Sequence, residues 1–214
     1  MRVTCAAFAN AASAASIADF IASRYGKSQF LGGLVTVIAV IGLLVGVAIG
    51  VGHSFAFPVM IMKRPRVLHE FVNGFGSIGQ TLPTAIGMAV ALDKPFALIE
   101  GDGGAMQNIQ ELDTAARLGV KLLYVIFNDE AYAAEYHKLK VKKMNAQLSR
   151  VRAPDFAKIA EGFGCIGRTA LTPEQVGAAC DEFMAGDAPM LINIKTSRNV
   201  VSIPYQRMHL GIDI

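Results

Sequence analysis

Acidic and amide side chains follow two apolar runs of this chain, at the point where each run ends. Asp102 comes shortly after the run 96–99, and Asn128 and Asp129 come directly after the run 120–127. Carboxylate and amide oxygens are ligands that Mg²⁺ prefers in proteins. If the two runs are neighbouring parallel strands, their carboxyl ends bring these oxygens together. The spacing therefore predicts a metal site between two strand ends.

Two glycines after Asp102 favour an anion beside the metal. Gly103 and Gly104 have no Cβ, so a phosphate group can closely approach their N–H groups. Gly-Asp-Gly-Gly on its own is also a common surface turn. The second acidic strand end, at Asp129, makes ligand binding the stronger interpretation. The two ends together predict a site for a metal ion and a phosphate group.

The predicted elements are arranged so that they position these ends. From residue 67 onward, apolar runs alternate with amphipathic segments, which is typical of parallel strands joined by helices. Strands are predicted at 67–72, 96–99, 120–127, 165–169 and 190–195, and helices at 80–92, 107–118, 154–163 and 173–184. The segment 130–152 is predicted as a loop with a short helix that covers the site, and the tail after Ser197 as an extended arm. The expected fold class is α/β, with a doubly wound, mostly parallel sheet flanked by helices.

The two motifs resemble the thiamine diphosphate-binding signature of the acetolactate synthase and benzoylformate decarboxylase family. In chain order they are Gly101-Asp102-Gly103 and, after a helix and a strand, Asn128-Asp129. The resemblance covers about residues 67–205 and implies thiamine diphosphate and Mg²⁺ as cofactors. The cofactor-binding residues that it implies are Gly76, Ser77, Ile78, Gly101, Asp102, Gly103, Gly104, Ala105 and Asp129. The metal ligands that it implies are the carboxylates of Asp102 and Asp129 and the carbonyl of Ala131.

Asp129 departs from the pattern of this family, which more often has asparagine at the corresponding position. An aspartate is still an oxygen ligand, so Mg²⁺ binding is expected to persist. Its additional negative charge beside the diphosphate is expected to change the affinity for the cofactor and the pH dependence of binding.

The glycine turn 74–79 admits two interpretations. It reads Gly-Phe-Gly-Ser-Ile-Gly between a predicted strand and a predicted helix, and Glu100 follows about 20 residues later, as in a dinucleotide-binding fingerprint. An NAD-binding oxidoreductase domain is therefore the alternative function, although it leaves both acidic motifs unexplained. In the family resembled here, the carbonyl of Gly76 would face the aminopyrimidine and Ile78 would separate the two cofactor rings. That wedge would hold the reacting groups of the cofactor close together.

A long apolar run precedes the α/β pattern. Residues 28–62 contain no Asp, Glu, Lys or Arg, and the run 30–52 is long enough to cross a bilayer. A transmembrane helix is predicted there, with a buried core helix as the alternative. The chain is thus divided into an Ala- and Ser-rich segment with a hydrophobic helix, 1–62, and a thiamine diphosphate-binding domain, 63–214. Residues 13–45 also weakly resemble a segment of sodium:solute symporters, which indicates a fusion or a gene-model artefact.

The composition limits which partners and which cellular compartment the sequence predicts. A net charge of +3 in 214 residues is too small to indicate a nucleic-acid partner. The three cysteines lack CxxC spacing and indicate reduced thiols in a cytoplasmic protein. The protein would be tethered to a membrane if residues 30–52 span it.

The function implied by the resemblance is that of a thiamine diphosphate-dependent lyase or transferase acting on a 2-oxo acid. In the family, a glutamate from a separate pyrimidine domain activates the cofactor, and residues 1–66 are too few and too apolar to form that domain. The isolated chain is expected to be inactive and to need a homo-oligomer or a separate pyrimidine-domain subunit. None of its residues is predicted as a catalytic acid or base. The non-enzymatic alternative is a membrane-tethered or truncated remnant without turnover.

Overall fold

The computed structural model describes residues 46–53, 67–70 and 76–211, the second range by its backbone alone. The six strands of these ranges are β1 Gly46–Ile49, β2 Val67–Glu70, β3 Phe96–Gly101, β4 Leu122–Asn128, β5 Ile166–Ala170 and β6 Met190–Lys195. They form one sheet in the order β2-β1-β3-β4-β6-β5, and every pair of neighbours is parallel. The predicted parallel α/β sheet is thus confirmed.

Helices flank this sheet on both faces. They are α1 Thr81–Leu92, α2 Asp102–Ala105, α3 Leu112–Leu118, α4 Ala133–Val141, α5 Phe156–Gly162, α6 Pro173–Ala185 and α7 Ile203–Tyr205, with 3₁₀ turns at Ile109–Glu111 and Ala146–Ser149. One apolar core lies between the strands and α1, α3 and α5, and the other lies between the strands and α6. Neighbouring residues of β3 show the division, because Leu98 packs in the first core and Ile99 in the second.

The hydrophobic helix predicted for residues 30–52 is wrong at its C-terminal end. Residues 46–49 form β1, which lies between β2 and β3 with Val47, Ala48 and Ile49 fully buried. A strand that is covered on both faces reads as a continuous apolar run, which periodicity cannot distinguish from a helix. The sheet therefore extends into the segment 1–62 that was assigned to the hydrophobic helix.

The remaining predictions about the N-terminal segment, residues 30–45 of the helix and the symporter-like stretch 13–45, lie outside the described residues. Within the ranges that the structure covers, no helix combines the length and the apolar character needed to cross a membrane. The prediction of membrane contact through residues 30–52 therefore has no support at residues 46–52.

The tail after Ser197 is not an extended arm. It folds back as α7, followed by a π-helical turn at Gln206–Leu210. The Ser202 side chain caps α7 by accepting a hydrogen bond from Tyr205 N. Tyr205 is buried, and its hydroxyl group donates a hydrogen bond to the carbonyl oxygen of Ala134 at 2.7 Å. The prediction failed because a single capping serine before a three-residue helix is a weak pattern. By this contact the tail packs against α4.

Candidate functional site

The two acidic motifs meet at the carboxyl edge of the sheet. β3 and β4 are adjacent and parallel, with Gly101 opposite Phe127. Asp102 follows β3 as the first residue of α2, and Asp129 follows β4 directly. The parallel register therefore brings both carboxylates to one edge, where ligands bind in open α/β sheets.

Asp102 joins the two strand ends by hydrogen bonds. Its side chain is buried, and its Oδ1 accepts from the N–H of Gly103 at 2.8 Å. Its Oδ2 accepts from the N–H of Glu130, which follows β4, at 2.7 Å. With its amide nitrogen turned towards Asp102, Asn128 also donates to Oδ2 at 3.2 Å. The Asp102 carboxylate is thus fixed by backbone from both motifs.

Asp129 lies in a tight turn with its neighbours. Its Oδ1 accepts a hydrogen bond from the N–H of Ala131 at 3.0 Å. Glu130, between them, has a φ of 58°, in the left-handed region that non-glycine residues rarely adopt. The turn places both predicted ligands of this segment, Asp129 and Ala131, on the wall of the same cavity.

A cavity of about 290 Å³ opens at this edge. The predicted site residues that line it are Ile78, Gly101, Asp102, Gly103, Gly104, Asp129 and Ala131. Three further predicted residues do not line it in the described structure. Gly76 is exposed with a φ of 58°, Ser77 is half-buried, and Ala105 is buried within α2.

The two glycines of α2 are required by space. A Cβ on Gly104 would lie 2.7 Å from Oε1 of the buried Glu100. A Cβ on Gly103 would lie 2.7 Å from the ring of Tyr132, which follows the second motif. Both distances are too short for carbon contacts, so side chains at these positions would displace their neighbours. The packing therefore requires glycine at both positions, and both glycines line the cavity.

Glu100 is a structural residue beneath this turn. It is 0% exposed, and it accepts hydrogen bonds from Thr81 Oγ1 at 3.1 Å and from the hydroxyl of Tyr124 at 2.7 Å. Burial raises the pKa of its carboxyl group, although the hydrogen bonds from Tyr124 and Thr81 oppose that rise. In the dinucleotide interpretation this carboxylate would bind a ribose hydroxyl. Its complete burial prevents such a contact and contradicts that interpretation.

Burial also changes the acidity of the two predicted metal ligands. It raises the pKa of Asp102 to about 6, and the hydrogen bonds from Glu130 and Gly103 only partly oppose it. Burial and the nearby charge of Asp102 raise the pKa of Asp129 to about 7. Two desolvated carboxylates in one cavity repel each other, and a bound cation would relieve that repulsion.

These pKa shifts predict that the metal-free chain becomes less stable as the pH rises. The folded state holds extra protons between the ordinary carboxyl pKa of 3.8 and about 7, so its stability falls as pH rises through this window. Asp129→Asn should remove part of this loss of stability, because one of the two buried carboxyl groups is gone. Its free energy of unfolding, relative to the unmodified chain, should rise by about 1 kcal/mol or more from pH 5 to pH 7.5 in EDTA. Urea titrations at each pH measure this difference, and a constant difference would contradict the assigned burial.

The comparison with the variant is needed because His53 acts in the opposite sense. Burial, together with the nearby His137, lowers the pKa of His53 to about 4. Its folded-state pKa is below the ordinary value of 6.5, so its contribution to stability rises with pH over that interval. This contribution is common to both proteins and cancels in the difference.

Sequence reasoning missed a second part of the cavity wall. Val51, Gly52 and His53, which follow β1, line the cavity together with Tyr205 of the tail. The ring of His53 lies 5.1 Å from that of Tyr205, and its Nε2 accepts a hydrogen bond from Ser202 N at 3.1 Å. A strand interpretation of residues 46–49 would have identified the turn after it as a third strand end at the site.

Three further titratable residues, Glu135, His137 and His69, are assigned no role at the site. Glu135 lines the cavity. His137 is buried, with its ring 5.2 Å from that of His53. The side chain of His69 lies outside the described part of the structure.

Known proteins share this sequence pattern and this fold. The family model for the thiamine pyrophosphate enzyme, C-terminal TPP binding domain, matches residues 48–194. The chain is 34% identical over 124 residues to a probable acetolactate synthase large subunit of Methanococcus aeolicus, covering 56% of this chain and 21% of that protein. It is 30% identical over 125 residues to the acetolactate synthase isozyme 2 large subunit of Escherichia coli, covering 57% and 23%. The chain thus spans about a fifth of the length of these curated relatives.

A solved structure shows the same fold. The crystal structure of benzoylformate decarboxylase from Polynucleobacter necessarius matches with a TM-score of 0.70 at 16% identity, covering 80% of this chain and 33% of that one. The comparisons favour thiamine diphosphate over the NAD-binding alternative and lend no support to the symporter-like interpretation of residues 13–45. Because the family model spans more than half of its residues, this chain belongs to the thiamine pyrophosphate enzymes, through their C-terminal TPP-binding domain.

Proposed function

We propose that this domain binds the diphosphate of its cofactor through a Mg²⁺ ion held by Asp102, Asp129 and the carbonyl of Ala131. The observation that carries the proposal is that all three residues line one cavity together with the bare backbone of Gly103 and Gly104. The two strand ends therefore supply a cation site and an anion site side by side.

The donor set fits Mg²⁺. This ion is bound through one or two carboxylates, with phosphate oxygens and water as its other ligands. Asp102 and Asp129 supply two carboxylates, both partly withdrawn from water, and burial raises the pKa of each. A divalent cation would offset the unfavourable burial of both charges.

The space at the turn fits a diphosphate. Gly103 and Gly104 have no room for a Cβ on the side of Tyr132 and Glu100, so the turn packs tightly against the sheet. The N–H of Gly103 is engaged by Asp102 Oδ1 at 2.8 Å. Gly104 also lines the cavity, and the missing side chain there lets an anion approach the backbone closely. Ile78 lines the cavity with 43% of its surface exposed, as expected of an apolar side chain that contacts a ring of the bound cofactor.

The activity that we propose is that of a 2-oxo acid decarboxylase or an acetolactate synthase-like enzyme. The bound cofactor supplies carbanion stabilisation, and the residues of this chain bind, orient and partly enclose it. Turnover is proposed to require a pyrimidine domain from another subunit, whether a second copy or a separate chain. Carbon dioxide release from pyruvate or benzoylformate by this chain alone would contradict that requirement.

Ligand-induced stabilisation tests which cofactor the domain binds. Thiamine diphosphate with Mg²⁺, at about 10 times its Kd, should raise the free energy of unfolding by about 1.4 kcal/mol. NADH should have no effect, because Glu100 is buried beneath the turn. Thermal denaturation of the chain with each ligand measures both effects. Protection by NADH without protection by thiamine diphosphate would overturn the proposal, and protection by neither would favour a remnant without cofactor.

A further inference from the structure

A third acidic residue, Glu130, lies in the chain between the proposed metal ligands Asp129 and Ala131, and it faces two cations. Glu130 follows Asp129 and precedes Ala131. Its carboxylate Oε1 lies 3.3 Å from Lys195 Nζ, and its Oε2 lies 3.4 Å from Arg198 Nη2. Lys195 ends β6, the strand next to β4, and Arg198 follows three residues later in the chain.

All the polar groups of Glu130 are engaged. Its N–H donates to Asp102 Oδ2 at 2.7 Å, and its carbonyl oxygen accepts from Val151 N at 3.0 Å. Its side chain accepts from Lys195 and Arg198. These contacts hold the residue from three directions: the first motif, the segment after α4, and the end of β6.

The backbone conformation of Glu130 is unfavourable for a glutamate. Glu130 has a φ of 58°, and a non-glycine residue in the left-handed region is strained by about 1 kcal/mol or more. A glycine or an asparagine would adopt this backbone more easily. A glutamate is worse for the turn itself, so its side chain contributes something that those residues cannot supply. The ion pairs to the end of β6 are that contribution.

We propose that Glu130 is a positioning residue for the metal site: Lys195 and Arg198 hold its carboxylate and thereby fix the turn that presents Asp129 and Ala131 beside Asp102. The ion pairs are exposed enough to add little to global stability. Their effect is local, because a turn that rotates would move two of the three proposed ligands together. The inference rests on the proposed cofactor function and names a residue outside the ligand set.

The test is a Mn²⁺ titration of the full chain at saturating thiamine diphosphate, with free Mn²⁺ followed by electron paramagnetic resonance. Glu130→Gln should weaken Mn²⁺ binding by about tenfold or more, the range found for residues that orient metal ligands. Its thermal midpoint without ligand should remain within a few degrees of that of the unmodified chain. Glu182→Gln is the matched control, because it breaks an ion pair with Arg168 away from the site and should leave Mn²⁺ affinity unchanged.

Two further variants keep the result decisive. Asparagine at position 130 tolerates the left-handed backbone but is too short to reach both cations. Glu130→Asn should therefore fold, and its Mn²⁺ affinity should be lower than that of the unmodified chain, as for Glu130→Gln. Adding Arg198→Gln to Glu130→Gln should cost less than the product of the two single effects, since one interaction is lost in both. Unchanged Mn²⁺ affinity in both Glu130 variants would overturn the positioning role. Failure of the unmodified chain to bind Mn²⁺ and thiamine diphosphate would instead overturn the proposed cofactor function.

Discussion

Replacing Asp102 with asparagine should weaken Mg²⁺-dependent binding of thiamine diphosphate by more than about 100-fold. Residues that merely orient a metal ligand are worth about 10- to 100-fold in affinity, and Asp102 is proposed as a ligand itself. Asparagine keeps the size of the side chain but removes its charge. It also places an N–H group opposite one of the two backbone donors, Gly103 N and Glu130 N, that the carboxylate accepts from.

The same substitution should leave the folded chain largely intact. Burial raises the pKa of Asp102 to about 6, so the charged side chain is itself unfavourable in the metal-free chain. Isothermal titration with thiamine diphosphate and Mg²⁺ measures the affinity, and thermal denaturation without ligand measures the stability. Asp113→Asn is the matched control, because Asp113 is exposed and pairs only with Arg117 on α3 in the described structure. Equal cofactor affinities for Asp102→Asn and the control would contradict the proposal that Asp102 is a metal ligand.

Gly104→Ala should destabilise the fold and impair cofactor binding together. The new Cβ would lie 2.7 Å from Glu100 Oε1. Glu100 cannot easily move, because it is fully buried and is held by Thr81 and Tyr124. Overpacking of this kind costs about 1–3 kcal/mol. The turn would shift away from Glu100 into the cavity, where the diphosphate is proposed to bind.

A glycine in open space provides the control for this substitution. Gly87 is an exposed residue of α1, and a Cβ there would meet nothing within 4 Å. Gly87→Ala should therefore stabilise the chain by about 0.5–1 kcal/mol, because alanine is the better helix former. Urea denaturation gives both values. If Gly104→Ala were as stable as Gly87→Ala, the close packing of the turn on Glu100 would be wrong.

Much of the sheet could be predicted from the alternation of apolar and amphipathic segments. The last strand, 190–195, matches the observed β6, and the predicted helix 173–184 differs from α6 by one residue at its end. The segment 130–152 contains α4 and a 3₁₀ turn, as its mixed pattern indicated. These elements have local signals, namely a proline at the start, a helix period or a short apolar run between turns.

The errors arose where tertiary context decides the structure. β1 is apolar because the two cores, one on each face of the sheet, bury its side chains, and the sequence alone gives the same pattern for a membrane helix. The turn after β1 and the tail after Ser197 were therefore missed as parts of the cavity wall. Glu100 matched a dinucleotide fingerprint by spacing, but its hydrogen bonds to Thr81 and Tyr124 come from residues 19 and 24 positions away. No sequence motif reports such contacts.

The placement of the two acidic motifs was predictable from the sequence, and the contacts that support them were not. The spacing of the acidic motifs placed Asp102 and Asp129 at one edge of the sheet, and the structure brings them into one cavity. The ion pairs of Glu130 with Lys195 and Arg198 join positions 65 and 68 residues apart. Such pairs depend on the order of β4 and β6 in the sheet, which the sequence pattern did not specify.

The central claim is that a divalent metal joins the two carboxylates to the diphosphate, and one titration tests it most directly. Thiamine diphosphate is titrated calorimetrically into the full chain, once with Mg²⁺ and once with EDTA. The account predicts saturable binding with Mg²⁺ and an affinity at least about 100-fold lower with EDTA, because the diphosphate then faces two carboxylates without a cation between them. Equal affinity under the two conditions would contradict the metal site and the roles assigned to Asp102 and Asp129.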